Sequence, residues 1–396
     1  MKKLFLIGIG GAMASVAIFG LSHTNRNAIV LQNALHGESQ QEKPAEPERQ
    51  PEPIKKMETP KVMRAVYLTA PSAGREDKIE SILAMKKEGL NAVVIDIKDS
   101  YGVVAYDSQL ETVRQYKLRQ KFIPDLAGVV KRFHDADIYV VARIAVFEDT
   151  AFAEARPELA VQDGAKLKLA GGMISKKTIW RDRKNLAWLD PSSKEVHAYV
   201  AALSKDALTY GFDELNYDYM RFPSDGKTTS IVYPITKQGE AHVAIMKDFF
   251  KYLREQTSGT TISGDMFGFT LVDAQDIGIG QMVEDGYEYF DYVCPMVYPS
   301  HYPRGYLGYK NPAAWPYEVV ADSIQKGLDR LTKYKSDGGT GIGKLRPWLQ
   351  DFNLGADYTA PMIGKQIKAT QDVLKEQYAG YILWNPSSNY TSGGLR

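Results

Sequence analysis

The chain has 396 residues, enough for two or three average domains or for one large barrel behind an N-terminal extension. Hydrophobic residues make up 44%, so a sizeable core can form, while 49 Lys plus Arg against 48 Asp plus Glu leave a net charge of +1. That balance gives no reason to expect nucleic acid as a partner. Cys294 is the single cysteine, which excludes an internal disulfide. His23, His36, His134, His197, His242 and His301 are scattered without metal-ligand spacing, so neither a zinc site nor another cofactor is expected.

In chain order, Lys2 and Lys3 precede an apolar run from Leu4 to Leu21. Residues 1–22 therefore read as a signal-anchor or signal peptide, with the bulk of the chain on the far side of the membrane. No clear Ala-x-Ala cleavage site follows, which favours the uncleaved anchor. Residues 23–60 are rich in Gln, Glu, Pro and Lys and bury too little apolar surface to order themselves; they read as a disordered spacer. The expected location is extracytoplasmic, membrane-anchored, or secreted if the segment is cleaved.

From residue 61 to 396 short apolar runs alternate with amphipathic stretches. Strands are predicted at 64–69, 91–98, 137–147, 214–222, 261–269, 292–299, 345–352 and 381–385. Helices are predicted at 75–88, 124–136, 237–256, 316–334 and 362–378. Eight strands with intervening helices predict an α/β fold, a (β/α)8 TIM barrel. No Gly-rich phosphate loop opens the first helix, which removes the nucleotide-binding version of the doubly wound alternative. Long connections at 148–195, 223–240, 270–290 and 300–315 follow strands and are predicted as insertions on the active-site face. Residues 176–189 are expected to form a small hairpin or a lid.

Strand parity selects the inward residues, because side chains alternate faces with period two. In the second strand Val93, Ile95 and Ile97 face the helices, and Val94, Asp96 and Lys98 face inward. In the third, Tyr139, Val141 and Arg143 share one face. In the fourth, Leu215, Tyr217 and Tyr219 oppose Asn216, Asp218 and Met220. Asp218 thus points inward at the C-terminal end, where barrels build their sites. A carboxylate there can attack or stabilise an oxocarbenium-like centre, and Arg221 is expected to pair with it. Asp265, on the adjacent strand, is the candidate general acid. Asp96, Lys98 and Arg143 are candidates for sugar binding or an ion-pair network. Tyr298 and His301 follow strand six, Gln350 closes strand seven, and Trp384 closes strand eight as a candidate sugar platform. Cys294, inside an apolar strand, reads as a buried small hydrophobe.

Several segments together resemble one bacterial family of glycoside-hydrolase-like proteins, domain of unknown function 4015. They are 64–70 (RAVYLTA), 91–100 (NAVVIDIKDS), 138–146 (IYVVARIAV), 188–191 (WLDP), 211–223 (GFDELNYDYMRFP) and 291–302 (DYVCPMVYPSHY). The resemblance spans 62–390 and implies a TIM-barrel glycosidase whose strand-four Asp, resembling the nucleophile of amylase-like enzymes, is Asp218; the strand-five Asp is Asp265. Asn216-Tyr217 and Met220 depart mildly from the family pattern. The leading expectation is hydrolysis or transglycosylation of a cell-envelope or extracellular polysaccharide. The alternatives are a non-catalytic glycan-binding barrel, if no second carboxyl lies near Asp218, and an esterase or deacetylase, which would need a metal cluster or a Ser–His pair at the mouth.

Overall fold

The computed structural model describes residues 56–395. The membrane segment expected at 1–22 and most of the predicted spacer lie outside the described residues. Among the described residues no helix is long and apolar enough to cross a membrane.

Eight parallel strands close into a barrel. They are β1 (Met63–Leu68), β2 (Ala92–Lys98), β3 (Tyr139–Ala145), β4 (Glu214–Asp218), β5 (Thr261–Phe267), β6 (Tyr292–Met296), β7 (in two pieces, Lys344–Leu345 and Trp348–Gln350) and β8 (Gly380–Trp384). Each pairs with the next, and β8 pairs with β1 to close the ring. The break in β7 falls at Arg346-Pro347, where proline has no N–H to give to a ladder.

Among the described residues seven helices of seven residues or more cover the outside: α1 (Glu76–Ala84), α2 (Leu126–Asp135), α3 (Lys194–Thr209), α4 (His242–Gln256), α5 (Val283–Tyr289), α6 (Pro316–Ser336) and α7 (Ala360–Leu374). Two of these, α3 and α5, are absent from the predicted helices. In α3 the side chain of Ser193 caps the start by accepting from the Val196 N–H. Its buried face includes His197 and Ser204, and these polar residues blur the apolar period. Each has a partner inside the fold, His197 Nε2 on the Pro191 carbonyl at 2.7 Å and Ser204 against the Tyr217 hydroxyl at 2.9 Å. Helix α5 is short and carries Gly286 at its centre. An added Cβ there would lie 2.6 Å from Met266 Cε, so the glycine lets the helix lie close on the sheet.

Strand parity divides the core as expected. Val93, Ile95, Val140, Ala142, Leu215, Tyr217 and Val293 pack outward against the helices. Ala65, Tyr67, Val94, Tyr139, Val141, Cys294 and Trp348 fill the barrel interior. Cys294 is buried there, and burial pushes its thiol up to about 12. Low in the barrel, Arg346 pairs with Glu214, both fully buried, and lies 3.9 Å over the Tyr292 ring. Ser263 also donates to Glu214 at 2.6 Å. The segment before β1 lies across this end: the Met57 N–H donates to Asp213 at 2.7 Å, and Thr59 meets the Tyr139 hydroxyl at 3.1 Å. Among the described residues the interior is therefore filled from below, and a cavity opens at the C-terminal ends of the strands.

The seam between β8 and β1 depends on Gly380, whose φ is +101° and whose missing Cβ would lie 1.8 Å from the Met63 carbonyl oxygen. Gly380→Ala is expected to lower stability by at least about 2 kcal/mol, read as a fall in the urea midpoint at unchanged m-value. A midpoint equal to that of wild type would contradict this account of the seam.

Candidate active site

Adjacent strands deliver the site residues in register. Asp96 on β2 lies beside Arg143 on β3, Ala145 on β3 beside Asp218 on β4, and Asn216 on β4 beside Ser263 on β5, two residues before Asp265. The result is one guanidinium facing three carboxyls. Arg143 Nη1 donates to Asp96 Oδ1 at 2.5 Å, Nη2 pairs with Asp218 Oδ2, and Nε lies 3.7 Å from Asp265 Oδ2. The Tyr67 hydroxyl donates to the other oxygen of Asp96. Arg143 also lies 5.5 Å from the Tyr67 ring centroid and 5.3 Å from that of Trp384, which stack on each other at 4.1 Å. Burial alone would favour the neutral arginine, but the surrounding carboxylates outweigh it and hold the charge firmly in place.

Asp265 is the deepest of the three, only 1% exposed. Its Oδ1 accepts from Asn216 Nδ2 at 2.8 Å and from Trp348 Nε1 at 2.7 Å. Burial, and then the charge of Asp218, push its carboxyl well above the usual range against the lowering pull of Arg143. Burial also raises Asp96, offset by Arg143 and Tyr67. Asp218 is held through Oδ1 by the N–H of Tyr219 at 2.5 Å. Tyr219 itself has φ +54°, a left-handed conformation costly for an aromatic residue. That turn ends β4 and brings Tyr219 to the wall of the cavity above Asp218, whereas parity alone placed it under the helices.

The cavity measures about 370 Å³, and Arg143, Asp218, Asp265, Tyr298, His301 and Trp384 all line it. Arg221 lines it too, but without pairing with Asp218. After the Tyr219 turn its guanidinium lies over the rings of Trp188, Tyr219 and Phe267 and donates to the Phe222 carbonyl and to Ser224. Arg143 takes the pairing role expected of Arg221. Lys98 takes the ion-pair alternative and not the sugar-binding one. The β2–β3 register shifts between Asp96 and Lys98, and Lys98 is buried outside the cavity against Asp149 at 2.9 Å and the Ala145 carbonyl at 2.6 Å. Asp96 sits beneath the cavity as a partner of Arg143. Gln350 is fully buried and accepts from the Ser300 N–H at 3.2 Å, supporting the loop that carries His301. Burial, with Lys184 nearby, lowers the pKa of His301. Its Nδ1 lies 3.0 Å from the hydroxyl of its neighbour Ser300, a Ser–His contact at the mouth. Among the described residues His301 bonds no carboxylate, and no group of three His, Cys, Asp or Glu is placed to hold a metal.

The long connection after β3 supplies groups that parity did not reveal. Its strand Gln162–Asp163 pairs antiparallel with Ile231–Val232 from the connection after β4. Asp190 ties the same two connections by accepting from the N–H groups of Ile235 and Thr236 at 2.8 and 2.9 Å. The expected hairpin is present, bridged between Arg181 and Ala187, and its turn brings Asp182 to the cavity. Opposite lies Glu148, 3% exposed, with Oε2 unpartnered. Burial, and then the neighbouring Asp182 carboxyl, push Glu148 up to about 8 against the lowering pull of Arg221. A Glu three residues past β3, on a connection bridged to Trp188, was the missed signal.

A family model described as "Putative glycosyl hydrolase domain" matches residues 65–390. The chain belongs to this glycosyl hydrolase family. No curated protein matches it. Among solved structures, a hypothetical protein from Ruminiclostridium thermocellum is 33% identical over 50% of this chain and 96% of its own, with a TM-score of 0.44. The glycoside hydrolase domain of PgaB (BpsB) from Bordetella bronchiseptica is 15% identical over 83% and 95%, with a TM-score of 0.51. The α-galactosidase TtGalA from Thermus thermophilus, in complex with stachyose, is 13% identical over 86% of this chain and 64% of its own, also at 0.51. At these identities the last two likenesses speak to the barrel fold alone.

The raised Glu148 carboxyl has a consequence for stability. Its unfolded pKa is about 4.3, so between that value and about 8 the unfolded chain releases a proton that the fold retains, and stability falls as pH rises. Glu148→Gln is expected to stabilise relative to wild type by on the order of 4 kcal/mol above pH 8, and by little near pH 4. Thermal melts at both pH values check this; a pH-independent difference would contradict it.

Proposed function

We propose that this member of the glycosyl hydrolase family cleaves, or transglycosylates, a cell-envelope or extracellular polysaccharide. The observation that carries the reading is the Arg143-centred carboxyl cluster at the open end of the barrel. Asp218 faces the cavity paired with the Arg143 guanidinium, and beside it burial and then Asp218 push the carboxyl of Asp265 well above its ordinary value. Glycosidic cleavage needs that asymmetry: one carboxylate to meet positive charge developing at the anomeric carbon, and one neutral acid to protonate the leaving oxygen.

In this reading Asp218 is the nucleophile or charge stabiliser. Two cavity carboxyls are pushed up toward the protonated form by burial, Asp265, the donor expected from strand order, and Glu148. Trp384 and Tyr298 offer ring surface and His301 a polar edge, groups suited to sugar faces and hydroxyls. A glycan-binding role without catalysis would suit an Asp218 with no second carboxyl near it, and Asp265 shares Arg143 with it. The Lys-flanked apolar run at the N-terminus supports an extracytoplasmic place of action, anchored or released.

The purified protein is expected to release reducing ends from at least one member of a panel of envelope and extracellular glycans. Asp218→Asn should reduce that rate by about a thousandfold or more while leaving the melting temperature within a few degrees. A variant that matches wild type on every cleaved glycan would refute the assignment.

A further inference from the structure

We infer that Glu148, rather than the deeper Asp265, carries the proton to the leaving group, with Asp182 and Arg221 as its positioning residues. The inference rests on the hydrolase reading and deepens it.

The two neutral carboxyls of the cavity differ in what their oxygens meet. In Asp265, Oδ1 is taken by Asn216 and Trp348, and Oδ2 faces Arg143. Its neutral state follows from local charge: one guanidinium already serves Asp96 and Asp218, and a third ionised carboxyl would be uncompensated. Asp265 thus sets the charge of the floor. Glu148, by contrast, lines the cavity wall together with Asp218 and Asp182, and its Oε2 accepts from no N–H or O–H donor. Its partner there is the Asp182 carboxyl, which holds the proton on Glu148 without fixing it to the floor of the site.

The neighbours of Glu148 explain which group holds the proton. Asp182 Oδ1 accepts from the backbone N–H groups of Lys184 and Leu186, each at 2.9 Å, and its Oδ2 accepts from Trp188 Nε1 at 3.2 Å. Three donors are directed at Asp182 and none at Glu148 Oε2, and burial together with the Asp182 carboxyl favours the protonated form of Glu148. Arg221 favours the charged form of Glu148 from the end of β4, and the carboxyls of Glu148 and Asp218 both act on the Tyr219 phenol. Arg221 has no carboxylate bond of its own among the described residues. It is placed to balance the charge that appears on Glu148 once the proton has left.

The step is written as follows for a covalent route. The Glu148 proton passes to the glycosidic oxygen, the bond from that oxygen to the anomeric carbon breaks with its electron pair leaving on the oxygen, and Asp218 bonds to the carbon. The Glu148 carboxylate then removes a proton from water as the water oxygen displaces Asp218. Asp218 is released as a carboxylate and Glu148 regains its proton.

The test compares Glu148→Gln and Asp265→Asn with wild type in the full chain, on the glycan identified by the panel and on the dinitrophenyl glycoside of the same sugar, whose leaving group needs no proton. Glu148→Gln should lose about 100-fold or more on the glycan but less than about tenfold on the dinitrophenyl glycoside, and added azide should yield the glycosyl azide. The fall of wild-type kcat/KM near pH 8 should vanish in Glu148→Gln. Asp265→Asn should lose comparable activity on both substrates. The reverse pattern, or Glu148→Gln within about threefold of wild type on the glycan, overturns the inference and leaves the hydrolase reading standing. If wild type cleaves no glycan, both fall. Infrared titration separates the two failures, since a protonated-carboxyl band lost near pH 8 and absent from Glu148→Gln would still place the proton on Glu148.

Discussion

The site depends on one buried guanidinium shared among three carboxyls. Arg143 offers a single positive charge to Asp96, Asp218 and Asp265 within a barrel that excludes water from below. Taking ions out of water costs several kcal/mol each, and only close pairing recovers it. One cation cannot compensate three anions at that depth. The cluster divides: two carboxylates bond the guanidinium directly, and Asp265, 3.7 Å away and held by Asn216 and Trp348, is driven to stay neutral. The floor of the site thus has its charge set by one cation, and in the proposed mechanism Asp218 meets the anomeric carbon while Glu148 supplies the acid that cleaving an acetal needs.

A second charged layer lower in the barrel isolates this division. Glu214 and Arg346 neutralise each other one to one, with Ser263 and Tyr139 bonding the carboxylate. Asn216 joins the layers, donating upward to Asp265 and sideways to Ser263. The balanced pair adds no net charge to the floor of the site. Charge selection at the mouth is left to Arg143 and to the loops above it.

The barrel was legible in the sequence because each strand buries both faces and carries a period-two pattern. Inward residues near the middle of a strand, such as Asp96, Arg143 and Asp265, follow that period. It fails where the backbone leaves the ladder. The register shift after Asp96 removes Lys98 from the cavity, and the left-handed Tyr219 turns Arg221 onto aromatic rings and leaves Asp218 to Arg143. Glu148 and Asp182 lie beyond the end of β3, where no period constrains a side chain and only folded loops bring the two carboxyls together. Helix α3 was hidden by its buried His197 and Ser204, each paired internally. The family resemblance carried Asp218 and Asp265, the residues on strands, and said nothing of the loop acids.

The division of charge around Arg143 is measured most directly by carboxyl carbon NMR titration of the aspartates, with Asp265 assigned by the resonance lost in Asp265→Asn. The account predicts that the Asp265 resonance stays at its protonated position at pH 7 and moves only well above the usual carboxylate range. A resonance that titrates near pH 4, as an ordinary aspartate does at about 3.9, would contradict it.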